Sequence, residues 1–135
     1  MDARKYLSRA FELNRSLEYK ERRLSDEKDK VPYSGPLYGD VKIDSNMKSS
    51  AVEHSAIHII FLEDEIKALK KELEEAMRDI STTIRRVGNT NMEAILVMRY
   101  LSFLEWDDVI TRMGYSRGYV FKLHSQALSG VKMLI

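Results

Sequence analysis

The chain has 135 residues, 44% of them apolar and 32% charged, with 22 basic against 21 acidic side chains. A net charge of +1 excludes a blanket electrostatic grip on nucleic acid or acidic lipid, so any basic patch must be local. The absence of cysteine excludes disulfides, thiolate catalysis and Cys-ligated metal.

Met1-Asp2-Ala3-Arg4-Lys5 leads directly into charged helical sequence, without the apolar stretch that a signal peptide has. Apolar runs such as Ile59-Ile60-Phe61-Leu62 fall far short of the roughly 20 residues that cross a bilayer. A cytoplasmic, mostly helical chain with no membrane partner is expected.

From Asp2 to Lys30, Ala3, Ala10, Leu17, Leu24 and Val31 recur every seven residues, with Tyr6 and Leu13 between them. This predicts a helix with one apolar stripe that weakens after Leu17. Nine basic and seven acidic side chains fill its other faces. Residues 31–50 break the pattern with Pro32, Ser34, Gly35, Pro36, Gly39, Asp44, Ser45 and Asn46, which predicts a long loop. Tyr33, Leu37, Tyr38, Val41 and Ile43 are too apolar for a free linker, so part of the loop is expected to pack back on the helices.

Ser50 and Glu53 form a Ser-x-x-Glu capping box at the expected start of a long helix. Val52, Ile59, Ile66, Leu73, Ile80 and Val87 follow at seven-residue spacing, Leu62, Leu69 and Ala76 take the second position, and Met77 and Ile84 widen the stripe. About 37 residues of helix result, closed by Gly88. A stripe this narrow needs a partner. Either the first helix returns antiparallel as a hairpin of coiled-coil type, or the long helix pairs with its copy in a homodimer; the pattern suits both.

Asn89 to Ile135 differs in kind. Thr90 and Glu93 offer a capping box, and Met92, Ile95, Leu96, Met98 and Leu101 give a short helix with a broad apolar face. A second short helix is expected from Trp106 to Met113, with Asp107 and Asp108 in its first turn. Gly114 ends it, Ser116 is placed as an N-cap, and a last helix runs from Arg117 toward Leu134. Helix, glycine turn, N-cap and helix make a helix-turn-helix. Val120, Leu123, Ala127 and Leu128 have the spacing to press on the preceding helix. The opposite face carries Arg117, Gly118, Tyr119, Phe121, Lys122, Ser125 and Gln126, and no acid lies between Tyr115 and Ile135. Those seven residues are the candidate contacts to double-stranded DNA.

Arg99-Tyr100-Leu101, Trp106-Asp107-Asp108-Val109-Ile110, Met113-Gly114-Tyr115-Ser116, Val120-Phe121-Lys122-Leu123-His124 and Ala127-Leu128 together resemble region four, the C-terminal promoter-reading region of bacterial sigma factors. The whole chain resembles the small phage-encoded, ArpU-like, sigma-like transcriptional regulators of Gram-positive bacteria. The module match covers the last third of the chain; the match over the rest is one of architecture. The resemblance implies base or phosphate contacts from Arg117, Gly118, Phe121, Lys122 and Gln126, and contact with RNA polymerase. Ile110 stands where that pattern prefers Ala or Gly, and Gly118 and Phe121 stand where polar residues are common, so the bases read do not carry over.

Other residues read more plainly. His54 and His58 have a metal-compatible spacing but no third ligand beside them, and an exposed pair is expected. Trp106 is expected to face the core and His124 to be partly buried and hydrogen-bonded. Glu63, Asp64, Glu65, Glu72, Glu74 and Glu75 alternate with Lys67, Lys70 and Lys71 as a solvated ion-pair face. There is no catalytic constellation, and neither cofactor nor metal is expected. The expectation is an all-α, non-enzymatic protein: a helical hairpin over residues 1–88 and a helix-turn-helix module over 89–135. Its expected function is sequence-specific DNA binding, with activation of phage or prophage genes at a promoter. The alternative is a helical adaptor that binds RNA polymerase without reading DNA.

Overall fold

The computed structural model describes residues 2–30 and 46–135, the side chains of 46–51 excepted. The apolar residues expected to pack back from the loop, Tyr33 to Ile43, lie outside the described residues. Among those residues the fold is all-α: α1 (Ala3–Leu7), α2 (Arg9–Lys30), α3 (Asn46–Arg85), α4 (Thr90–Leu96), a π-helical turn (Val97–Leu101), α5 (Trp106–Met113) and α6 (Arg117–Leu134).

Three boundaries differ from the expectations. The first helix is interrupted at Ser8, which separates α1 from α2. The long helix begins at Asn46, so Ser50 lies inside it rather than at a capping box. The cap of α4 is Asn89 rather than Thr90: its extended backbone lets the side-chain oxygen accept from the Met92 N–H at 3.0 Å. Gly88 follows the long helix at φ +76°, the left-handed conformation that glycine takes without strain.

Packing divides the chain into two compact units, residues 15–71 and residues 1–14 with 72–135. In the first, the C-terminal part of α2 runs antiparallel to the N-terminal part of α3 within the same chain. Leu17, Leu62 and Ile66 are buried, while Leu24, Val52, Ile59 and Leu69 are half-buried. Lys20 pairs with Glu65, Lys28 with Glu63 and Lys70 with Glu21 along the seam. The stripe is thus consumed inside one chain, as the hairpin reading expects. His58 lies against Glu27 and Arg23.

The second unit does not respect a division at residue 88. Ala3, Tyr6, Leu7 and Ala10 share one core with Ile80, Ile84, Leu96, Tyr100, Ala127 and Val131. The reason is physical. A three-helix module of fewer than fifty residues buries little apolar surface alone, and the start of the chain and the end of α3 complete its core. Tyr6 anchors this join: its hydroxyl donates to Asp79 at 2.8 Å and lies 2.8 Å from the Thr83 hydroxyl. The Tyr6 hydrogen bond, then Arg9, hold the Asp79 carboxyl below its usual pKa.

Candidate nucleic-acid interface

The helix-turn-helix is built from local rules. Asp107 and Asp108 occupy the first turn of α5, where the helix dipole favours acids. Gly114 takes φ 75°, and its N–H donates to the Ile110 carbonyl. Ser116 is extended, and its hydroxyl accepts from the Tyr119 N–H at 3.3 Å. Ile95, Val109, Val120 and Leu123 form the cluster between the helices, with Ile110 and Met113 packed against it.

On α6 the faces separate cleanly. Val120, Leu123, His124, Ala127 and Val131 are buried. Arg117, Gly118, Tyr119, Phe121, Lys122, Ser125 and Gln126 are all exposed within the chain. Three of them have neighbours that the sequence did not disclose. Arg117 is ion-paired with Asp107, Phe121 packs on the Trp106 ring at 4.9 Å between centroids, and Tyr119 meets Tyr115 edge-on.

Behind this face lies a small aromatic and polar cluster. His124 Nε2 is 2.8 Å from the Tyr100 hydroxyl, and the imidazole meets the Trp106 ring edge-on at 4.6 Å. Burial first, then the positive charges of Arg4 and Arg99, push the His124 pKa down to about 4, so the ring is neutral at pH 7. Burial also raises the Tyr100 pKa. Trp106 is half-buried, with the Arg99 guanidinium over its ring at 5.1 Å.

An open cleft of about 220 Å³ adjoins the face, lined by Arg4, Ser8, Arg99, Tyr100, Trp106, Phe121 and His124. Arg4 and Arg99 are the functional candidates that sequence reasoning missed. Neither has a carboxylate partner among the described residues; Arg99 donates instead to the Leu104 carbonyl. Arg99 was visible in its motif, but nothing in the sequence told that α1 would dock beside α6 and bring Arg4 with it.

No group of three or more His, Cys, Asp or Glu side chains among the described residues is arranged to hold a metal. No helix among them is long and apolar enough to cross a membrane.

A family model described as a protein of unknown function, DUF1492, matches residues 33–132. No curated protein and no solved structure matches the chain.

Proposed function

As a member of the DUF1492 family the chain inherits no assigned activity, and we propose from its own geometry that it is a sequence-specific DNA-binding regulator of transcription. One observation carries this reading: α6 buries one face in a packed helix-turn-helix core and exposes an opposite face that holds Arg117, Lys122 and Gln126 and no acid of its own, Arg117 being paired with Asp107 of α5. Such a face fits the major groove. Arg117 and Lys122 suit guanine or phosphate, and Gln126 suits adenine. Arg4 and Arg99 extend the positive charge beyond α6 and suit phosphate oxygens.

The likeness to sigma factor region four supplies the regulatory side of the proposal. The protein acts at a promoter together with RNA polymerase and activates phage or prophage genes.

The test is selection of bound sequences from a random double-stranded DNA pool with the full chain. A reproducible motif that is lost or broadened with Lys122→Ala or Gln126→Ala supports the reading. A pool that stays random after repeated rounds overturns it and favours the adaptor that binds polymerase alone.

A further inference from the structure

The long helix has a second apolar face, on the side away from the stripe it shares with α2. Ile57, Ile60 and Phe61 are 54%, 57% and 61% exposed, whereas Leu62 and Ile66 are buried. The spacing i, i+3, i+4 puts the three on one side of α3. They present roughly 300 Å² of contiguous apolar surface, the lower end of the size of a monomer's largest patch, which is often functional. The hairpin does not need these side chains.

We propose that this face joins two copies of the chain, packed antiparallel about Ile60. The charges flanking the patch point to that occupant and that direction. Glu53 lies seven residues before Ile60 and Lys67 seven residues after it, both on the same side of the helix and both exposed. Seven residues are two helical turns, so each charge stands about 10 Å from the centre of the patch. The ion pairs inside this unit engage other side chains: Glu21, Glu27, Glu63 and Glu65 on the acidic side, with Lys20, Lys28, Lys30, Lys70 and His58.

A two-fold axis through Ile60 sets the Glu53 of each copy against the Lys67 of the other. A parallel pairing would instead oppose Glu53 to Glu53, Asp64 to Asp64 and Lys67 to Lys67. The two patches together bury roughly 600 Å² before their rims are counted, well under half of a standard stable interface. An interface this small makes the dimer weak and reversible. It uses a different face from the heptad stripe, and it stands or falls independently of whether α6 reads DNA.

Sedimentation equilibrium of the full chain without DNA, from roughly 5 to 500 μM, the range in which weak self-association is read, tests the proposal. The average mass should rise from monomer toward dimer across the range. Ile60→Glu should weaken association at least about tenfold while leaving the helical circular dichroism unchanged. Glu53→Lys should weaken it several-fold, and the double charge swap Glu53→Lys with Lys67→Glu should restore it. A monomer mass at every concentration overturns the proposal. So does a dimer indifferent to Ile60→Glu, or one that the double swap fails to restore.

Discussion

Arg117 Nη2 lies 2.6 Å from Asp107 Oδ1, which ties the first turn of α6 to the first turn of α5. The two side chains are 60% and 83% exposed, so the pair adds about 0–1 kcal/mol to the fold at most. Its importance lies in binding. The leading cation of the proposed DNA-facing helix already has an acidic partner, and a phosphate must compete for it. Asp107→Asn should shift stability by less than about 0.5 kcal/mol. It should raise DNA affinity about two- to tenfold at low salt, because a like charge is removed from the contact and Arg117 is released. Fluorescence anisotropy with the selected DNA site measures this. The gain should shrink to the part owed to the removed charge when Arg117→Ala is added; a gain undiminished there would remove Arg117 from the contact.

His124 gives the fold a pH dependence whose sign follows from its neighbours. Its folded pKa is depressed to about 4 from an ordinary 6.5. Between these values the unfolded chain binds the proton and the folded chain does not, so stability falls as pH drops through that window. The loss attributable to this residue reaches about 2 kcal/mol by pH 5 and levels off near 3 kcal/mol below pH 4. Urea denaturation at pH 7 and pH 5 should show it, and His124→Gln should flatten the difference by most of that amount. Asp79 acts at lower pH: its carboxyl is held below the usual value, so its contribution survives to about pH 4 and is lost beneath.

Ile66 and Ile60 lie on different faces of α3, one buried and one exposed, and truncating each should tell them apart. Ile66 is 7% exposed, and Ile66→Ala should cost about 2–5 kcal/mol. Ile60→Ala, at a site 57% exposed, should change the stability of dilute protein by less than about 0.5 kcal/mol. Thermal melts at low micromolar concentration decide it. A larger cost at Ile60 than at Ile66 would mean that the helix is rotated about its axis.

The features read correctly from sequence are those whose causes are local. Gly114 had to relieve a left-handed turn, Ser116 had to cap a helix, and Val120, Leu123 and Ala127 had to share a face; each demand is met within a few residues. The heptad stripe likewise announced that α3 needs a helical partner, but not whether that partner was α2 or a second copy. What escaped depends on tertiary docking. Leu7 is fully buried although it lies off the stripe of its own helix, because α1 reaches the core shared with α6. Arg4 arrives at the cleft by the same docking. The His124–Tyr100 hydrogen bond joins residues 24 positions apart, a pairing that no periodicity encodes. Ile57, Ile60 and Phe61 were lost in an apolar run, since Ile59 and Leu62 beside them belong to the stripe and one run served two faces.

Gly118 separates what the fold needs from what a partner needs. It is the second residue of α6, exposed, and a Cβ built on it meets nothing within 4 Å. No left-handed φ is present there, in contrast to Gly88 and Gly114. The fold therefore gains nothing from glycine at this position, and glycine inside a helix costs roughly 0.5–1 kcal/mol relative to alanine. A residue that weakens the free protein fits a surface to which another molecule comes close, and the proposed partner there is the DNA. Gly118→Ala should stabilise the free protein by up to about 1 kcal/mol, seen as a higher urea midpoint with an unchanged slope. The same variant should lose DNA affinity about tenfold or more, because the added methyl group holds the helix away from the groove. The opposed signs make the measurement decisive. If both stability and affinity rise, Gly118 stands away from the DNA and the start of α6 does not make the close contact. If stability falls, the conformation at residue 118 is not the relaxed helical one described, and the effect on binding says nothing about contact.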